Sequence, residues 1–182
     1  VGALVSLNPP AKGQIGLIGD PQTPVARLIT KVTRSTVFHV VICVSDTMIV
    51  SADPDGVHIV PIDSYPTAVW SNYPQTPEQS EEVADYAIRQ VGLPYNWVND
   101  LFVGLQYLNV TVPGLLYRAS EDRHEWMCSQ LGYASLQAGG VACLTTKKRV
   151  GTPSPGDFEA DFRLFGWFPA PQPAQETPVS TS

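Results

Sequence analysis

Glu125-Trp126-Met127-Cys128-Ser129-Gln130-Leu131-Gly132-Tyr133-Ala134-Ser135-Leu136-Gln137-Ala138-Gly139-Gly140 reads as a short extended lead-in, a helix and a glycine stop. Leu131, Ala134, Leu136 and Ala138 supply the apolar positions of a buried helix, and Gly139-Gly140 offers a residue able to take positive φ after the last turn. Cys128 then falls in or just before the first turn. Unpaired N–H groups and the positive end of the helix dipole favour a thiolate there, and the same donors can hold an oxyanion. The plain alternative is a buried apolar cysteine with no chemistry, so the decision rests on the rest of the chain.

The 182 residues suit one domain, 43% hydrophobic and therefore able to bury a core. A formal charge of −6 argues against nucleic acid, because a surface that tracks phosphates needs clustered Lys and Arg; the one basic run, Lys147-Lys148-Arg149, suits a solvated loop. Cys43, Cys128 and Cys143 are too few for a disulfide framework, and no Cys-x-x-Cys pair suggests zinc, so neither a metal nor another cofactor is expected. No apolar stretch is long enough to span a bilayer and no signal peptide is apparent, so a soluble chain is expected.

The clearest β signal is Val37-Phe38-His39-Val40-Val41-Ile42-Cys43-Val44, followed by Met48-Ile49-Val50-Ser51-Ala52 and Gly56-Val57-His58-Ile59-Val60-Pro61-Ile62, together an antiparallel meander. Gly13 to Gly19 reads as a short strand, and Val25 to Val32 as a short helix with a Thr23 cap. Thr76-Pro77-Glu78-Gln79 starts a helix with a hydroxyl cap, and Val83, Ala84, Ala87, Ile88 and Val91 mark its buried stripe. A second apolar helix is expected from Trp97 to about Leu108, with a charged loop from Arg118 to Glu125 after it. Residues 153–166 suggest a last helix or turn packed through Phe158, Phe162, Leu164 and Phe165. These belong to a domain over residues 1–168. The tail, 169–182, is rich in Pro, Ala, Gln, Ser and Thr and has too little apolar surface to order alone, so any order in it would come from a protein partner.

A cysteine nucleophile needs a base, and imidazole suits neutral pH. His39 is a polar ring in an otherwise apolar strand, a costly placement unless the ring is partnered. A hairpin loop with an odd number of residues, such as Ser45-Asp46-Thr47, puts His39 opposite Asp53 and on one face with Ser51 and Asp53; a two-residue loop sends it to the other face. His58 has no acidic neighbour by strand alternation and reads as a surface residue, and His124 reads as part of the charged loop.

His39 at the start of an apolar strand, a polar residue one hairpin later, Gly92-Leu93-Pro94-Tyr95-Asn96-Trp97 after a helix, Cys128-Ser129-Gln130-Leu131 opening a helix, and Thr152-Pro153-Ser154-Pro155-Gly156-Asp157-Phe158 come in an order that resembles the circularly permuted NlpC-type cysteine peptidases. That group includes YiiX-like bacterial proteins and lecithin retinol acyltransferases, and the resemblance runs from about Gly13 to Phe165. It implies a papain-like α+β fold, an antiparallel sheet packed against helices, with Cys128 as nucleophile, His39 as base and Tyr95 near the site as an oxyanion donor or packed beneath the helix. The third position departs from the pattern: Ser51 stands where relatives tend to carry Glu or His, with Asp53 two positions on. A serine can orient an imidazole but cannot stabilise imidazolium as a carboxylate does. The expected function is a thiol amide hydrolase acting on peptidoglycan peptides at the bacterial envelope. The alternatives are an acyltransferase or thioesterase on lipid acyl groups, and an inactive module of a larger assembly such as a phage virion.

Overall fold

The computed structural model describes residues 10–19, 21–22, 26–27, 30–31, 35–95, 127–141 and 153–168. Strands β1 (Ile15–Gly19), β2 (Val37–Cys43), β3 (Met48–Asp53), β4 (Gly56–Pro61) and β5 (Ala68–Trp70) precede helices α1 (Pro77–Arg89), α2 (Cys128–Ala138) and α3 (Pro155–Leu164). The strands form one antiparallel sheet in the order β4-β3-β2-β1-β5, so the class is α+β. The expected helix from Trp97 to Leu108, the charged loop with His124, Cys143, the Lys147–Arg149 run, the Thr23 cap and the tail lie outside the described residues. Of the short helix expected over 25–32, Ala26, Arg27, Thr30 and Lys31 are described and are helical.

The all-apolar run of β2 suits the centre of a sheet covered on both faces. One face packs Ile15, Leu17, Val40, Ile42, Val50, Ala52 and Val57 against all three helices; the other gathers Ile18, Val41, Cys43, Ile49, Ala68 and Trp70 under Phe38, Val60, Ile62 and Tyr65. Strand β5 was not expected, since three residues behind Pro66 carry no readable alternation; it gains its place by pairing with β1, from Gly16↔Trp70 to Ile18↔Ala68.

Helix α1 starts as its sequence predicts: Thr76 accepts from the Gln79 N–H, and the Gln79 side chain accepts from the Thr76 N–H. Its buried stripe is shorter than expected. Val83, Ala84 and Ala87 are buried, whereas Ile88 is 38% and Val91 39% exposed, because the helix ends at Arg89 and the chain turns away toward β4, with Gly92 donating to the Val57 carbonyl. In α3, Ser154 and Asp157 cap reciprocally, and Phe158 and Phe162 are fully buried, each contributing roughly 2–3 kcal/mol of apolar transfer. Leu164 and Phe165, expected to pack with them, are instead 70% and 45% exposed, since the helix face has rotated outward by its last turn.

Helix α2 also buries a different stripe from the one its apolar residues suggest. Cys128, Ser129, Leu131, Gly132, Ser135 and Leu136 face inward, while Ala134 is only partly buried and Ala138 is exposed. Small residues go inside because the helix lies close to β2: a Cβ on Gly132 would meet Val40 Cγ1 at 3.0 Å. The Ser135 hydroxyl is satisfied by donating to the Leu131 carbonyl at 2.8 Å.

The glycine pair after α2 divides its work. Gly140 takes the positive φ of 64°, whereas Gly139 has φ −74° and is needed because a Cβ there would lie 2.5 Å from Val83 Cγ2 and 2.8 Å from the Gln79 carbonyl oxygen of α1. Gly139→Ala is therefore expected to force the two helices apart and cost about 2 kcal/mol, and Gly140→Ala about 1 kcal/mol of backbone strain. Urea unfolding midpoints of the two variants check the ranking; equal shifts would contradict the close approach.

Candidate functional site

The β2–β3 hairpin decides which residues can meet. The Val44 N–H donates to the Met48 carbonyl at 3.0 Å and Cys43 pairs with Ile49, which makes the loop the odd-numbered Ser45-Asp46-Thr47. Carried along the strands, that register sets His39 across from Asp53, on one face with Ser51. The ladder itself stops at Val41↔Ser51. Beyond that pair β2 stays with β1 through Ile18↔His39 to Gly19↔Val37, and β3 stays with β4 as far as Asp53↔Gly56, so the sheet opens into a notch with Ser51 at its apex. A bulge against Ile18 and Gly19 brings Phe38 alongside His39, their rings stacked at 6.4 Å.

Four polar side chains line this notch. His39 Nε2 lies 2.8 Å from Ser51 Oγ and 3.5 Å from Asp53 Oδ1. Ser51 Oγ lies 3.1 Å from the Tyr65 hydroxyl, which donates to Asp53 with oxygens at 3.0 and 3.1 Å. Ser51 is thus the direct partner of the ring; Asp53 acts mainly through its charge and through Tyr65. Burial pushes the imidazole pKa below its ordinary value, with the Asp53 charge pulling the other way, so the neutral ring is favoured at neutral pH. Burial also pushes the Tyr65 hydroxyl up to about 12, keeping its proton in place.

Cys128 is the first residue of α2, 5% exposed. It packs in the helix-side cluster with Val40 and Ala52, whereas His39, Ser51 and Asp53 alternate onto the other face with Val41 and Ile49. One helical turn beyond Cys128, Gly132 touches Val40, the neighbour of His39 in the chain, and positions four apart share a helix face. Cys128 also lies near enough to the Tyr65 hydroxyl for its charge to weigh against ionisation of the phenol.

The N–H groups in the first turn of an α-helix point toward its N-terminus, and those of α2 do so beside Cys128. Met127 at the N-cap brings no oxygen, and its own N–H goes to Gln130 Oε1 at 3.2 Å. The Ser129 hydroxyl is fully buried without a partner. Such a first turn can receive negative charge on a thiolate or on an oxygen beside it.

The other sequence candidates separate from this group. Tyr95 is half-buried and packs against the helix-side cluster. Cys43 is buried in the opposite cluster, where burial raises its thiol to about 11, an unreactive value. His58, expected to lack an acidic neighbour, has its Nε2 3.3 Å from Asp55 Oδ1 at the β3–β4 turn, where the carboxylate is exposed but the ring nitrogen itself is covered. Tyr65 escaped the sequence reading altogether. Among the described residues no three His, Cys, Asp or Glu side chains are grouped to hold a metal ion, and no helix is long and apolar enough to cross a membrane. No family model matches the chain, and no curated protein is significantly similar to it.

Proposed function

We propose that the chain is a cysteine-dependent amide hydrolase with a papain-like, permuted NlpC-type arrangement, in which Cys128 attacks a carbonyl and His39 moves the proton. The observation that carries the reading is the buried His39 ring, whose polar contacts among the described residues, with Ser51 and Asp53, fall on Nε2, in a strand whose next residue, Val40, packs with Cys128 in one cluster. The remaining nitrogen, Nδ1, takes the thiol proton and returns it to the leaving amine; water then releases the acyl group from sulfur, again with His39 as base. The first-turn N–H groups of α2 hold the oxyanion. Tyr95 is a further donor only if its hydroxyl turns toward that oxygen, and its packing supports the structural role better.

The family resemblance suggests peptidoglycan peptides as substrate. Incubation with purified muropeptides and with acyl esters tests this: cleavage of muropeptides supports the reading, and cleavage of esters alone replaces it with acyl transfer or thioester chemistry. A second reading, an inactive module of a larger assembly such as a virion, is favoured by one observation, that a serine and not a carboxylate hydrogen-bonds the imidazole. Cleavage of neither substrate class supports that module.

A further inference from the structure

We propose that Tyr65 is a positioning residue that fixes the tautomer of His39 through a one-way chain of hydrogen bonds ending on Asp53. The direction follows from counting protons. A carboxylate only accepts, so the single Tyr65 proton goes to Asp53. The Ser51–Tyr65 contact at 3.1 Å then has only the Ser51 proton to use, so Ser51 donates to the phenol oxygen. With that proton committed, Ser51 Oγ can only accept at its 2.8 Å contact with His39, and Nε2 must carry the hydrogen. The neutral ring is thereby held with Nδ1 bare.

Without Tyr65 the order is lost. In Tyr65→Phe the Ser51 proton has no phenol to serve and is free to turn toward Nε2, so the ring hydrogen shifts in part to Nδ1, held back only by the Asp53 carboxylate 3.5 Å from Nε2. Asp53→Asn acts from the far end: its amide can donate to Tyr65, after which Tyr65 donates to Ser51 and Ser51 to Nε2, reversing every bond. Tyr65 touches neither sulfur nor substrate in this scheme; it sets which nitrogen of the base is available. The catalytic consequence rests on the hydrolase reading above, but the tautomer does not.

The test is nitrogen NMR of the full chain with labelled imidazoles at about pH 8, where the ring is neutral. His39 is assigned by subtraction with His58→Gln and His124→Gln. The expected wild-type spectrum has a protonated Nε2 and a bare Nδ1, shifting in both Tyr65→Phe and Asp53→Asn toward a protonated Nδ1. Asp53→Asn is nearly isosteric and partly exposed, so it carries the test should the phenylalanine variant fail to fold. A wild-type ring protonated on Nδ1, or a ring that keeps its Nε2 hydrogen in Asp53→Asn, would overturn the proposal. Turnover, where present, should fall about 10- to 100-fold in Tyr65→Phe at unchanged KM. Absence of turnover in the wild type with the predicted tautomers would count against the hydrolase reading alone.

Discussion

Cys128→Ala is expected to lower cleavage of a susceptible amide by ~10⁴-fold or more, and His39→Gln by about 10²- to 10⁴-fold. The sulfur is asked to form the bond, so nothing substitutes for it; the imidazole improves a proton transfer that water can make badly. Alkylation of the thiol reads the same pair without a substrate. At about pH 6 an ordinary cysteine is less than ~1% thiolate, while one brought to a pKa of about 6 is half ionised, a gain of more than ~100-fold. The lower basicity returns part of it, leaving a net advantage near 10-fold. Two effects oppose at Cys128: burial of the sulfur favours the thiol, and the helix terminus favours the thiolate by about 1 kcal/mol. Transfer of the thiol proton to the neutral His39 ring is what tips the balance. Alkylation should therefore be about 10-fold slower in His39→Gln at about pH 6 and little changed at about pH 9, where either thiol ionises without help. Cys43 stays silent because burial holds its thiol near 11, and Cys143→Ser removes the third cysteine from the signal. A wild-type profile like that of a free cysteine, unmoved by His39→Gln, would end the catalytic account.

The residues legible in the sequence were those whose signal is local. His39 stood out because a polar ring in Val37–Cys43 requires a partner, and the meander of β2, β3 and β4 is written in alternating apolar runs. Whether Ser51 and Asp53 faced that ring hung on a loop of two or three residues, which sequence leaves open and one hydrogen bond, Val44 to Met48, resolves. Tyr65 was invisible for a different reason. It follows the 3-10 turn Ile62–Ser64, outside any strand, and reaches Ser51 and Asp53 only because β4 returns alongside β3. Similarly, Gly132 and Ser135 read as poor core residues of α2 until Val40 is seen against the helix. Apolar periodicity locates a helix face when space is plentiful; where helix and strand approach closely, size replaces hydrophobicity as the criterion. The order of the motifs is what suggested a permuted NlpC-type arrangement, and that remains a proposal.

Glu159→Ala is expected to cost about 3 kcal/mol of stability, a large loss for a side chain that makes no contact with the notch residues. From α3, Glu159 accepts from the Ser35 hydroxyl at 2.6 Å, the Thr36 hydroxyl at 2.7 Å and the Thr36 N–H at 3.2 Å, and Arg163 donates to it at 2.9 and 3.2 Å. The Ser35 oxygen in turn accepts from the Val37 N–H, so the carboxylate anchors the chain where it enters β2, just ahead of the bulge that carries Phe38 and His39. Burial pushes the Glu159 carboxyl up, but the donors from Ser35, Thr36 and Arg163 outweigh it and hold the pKa below the ordinary 4.5. A carboxylate with a depressed folded pKa contributes its stability above the unfolded value; that contribution drains away as pH falls from about 4.5 through the folded value. Glu159→Gln keeps the shape but not the charge, so its loss should be smaller than that of Ala and its stability flatter across that window. Urea unfolding at about pH 7 and about pH 4 measures both effects. If Glu159→Ala shifts the midpoint no more than an ordinary surface substitution, within about 0.5 kcal/mol, then the anchor is not what holds the start of β2 to α3. With the anchor removed, the entry to β2 is expected to loosen first, while His39 keeps its pairing with Ile18 and its contact with Ser51.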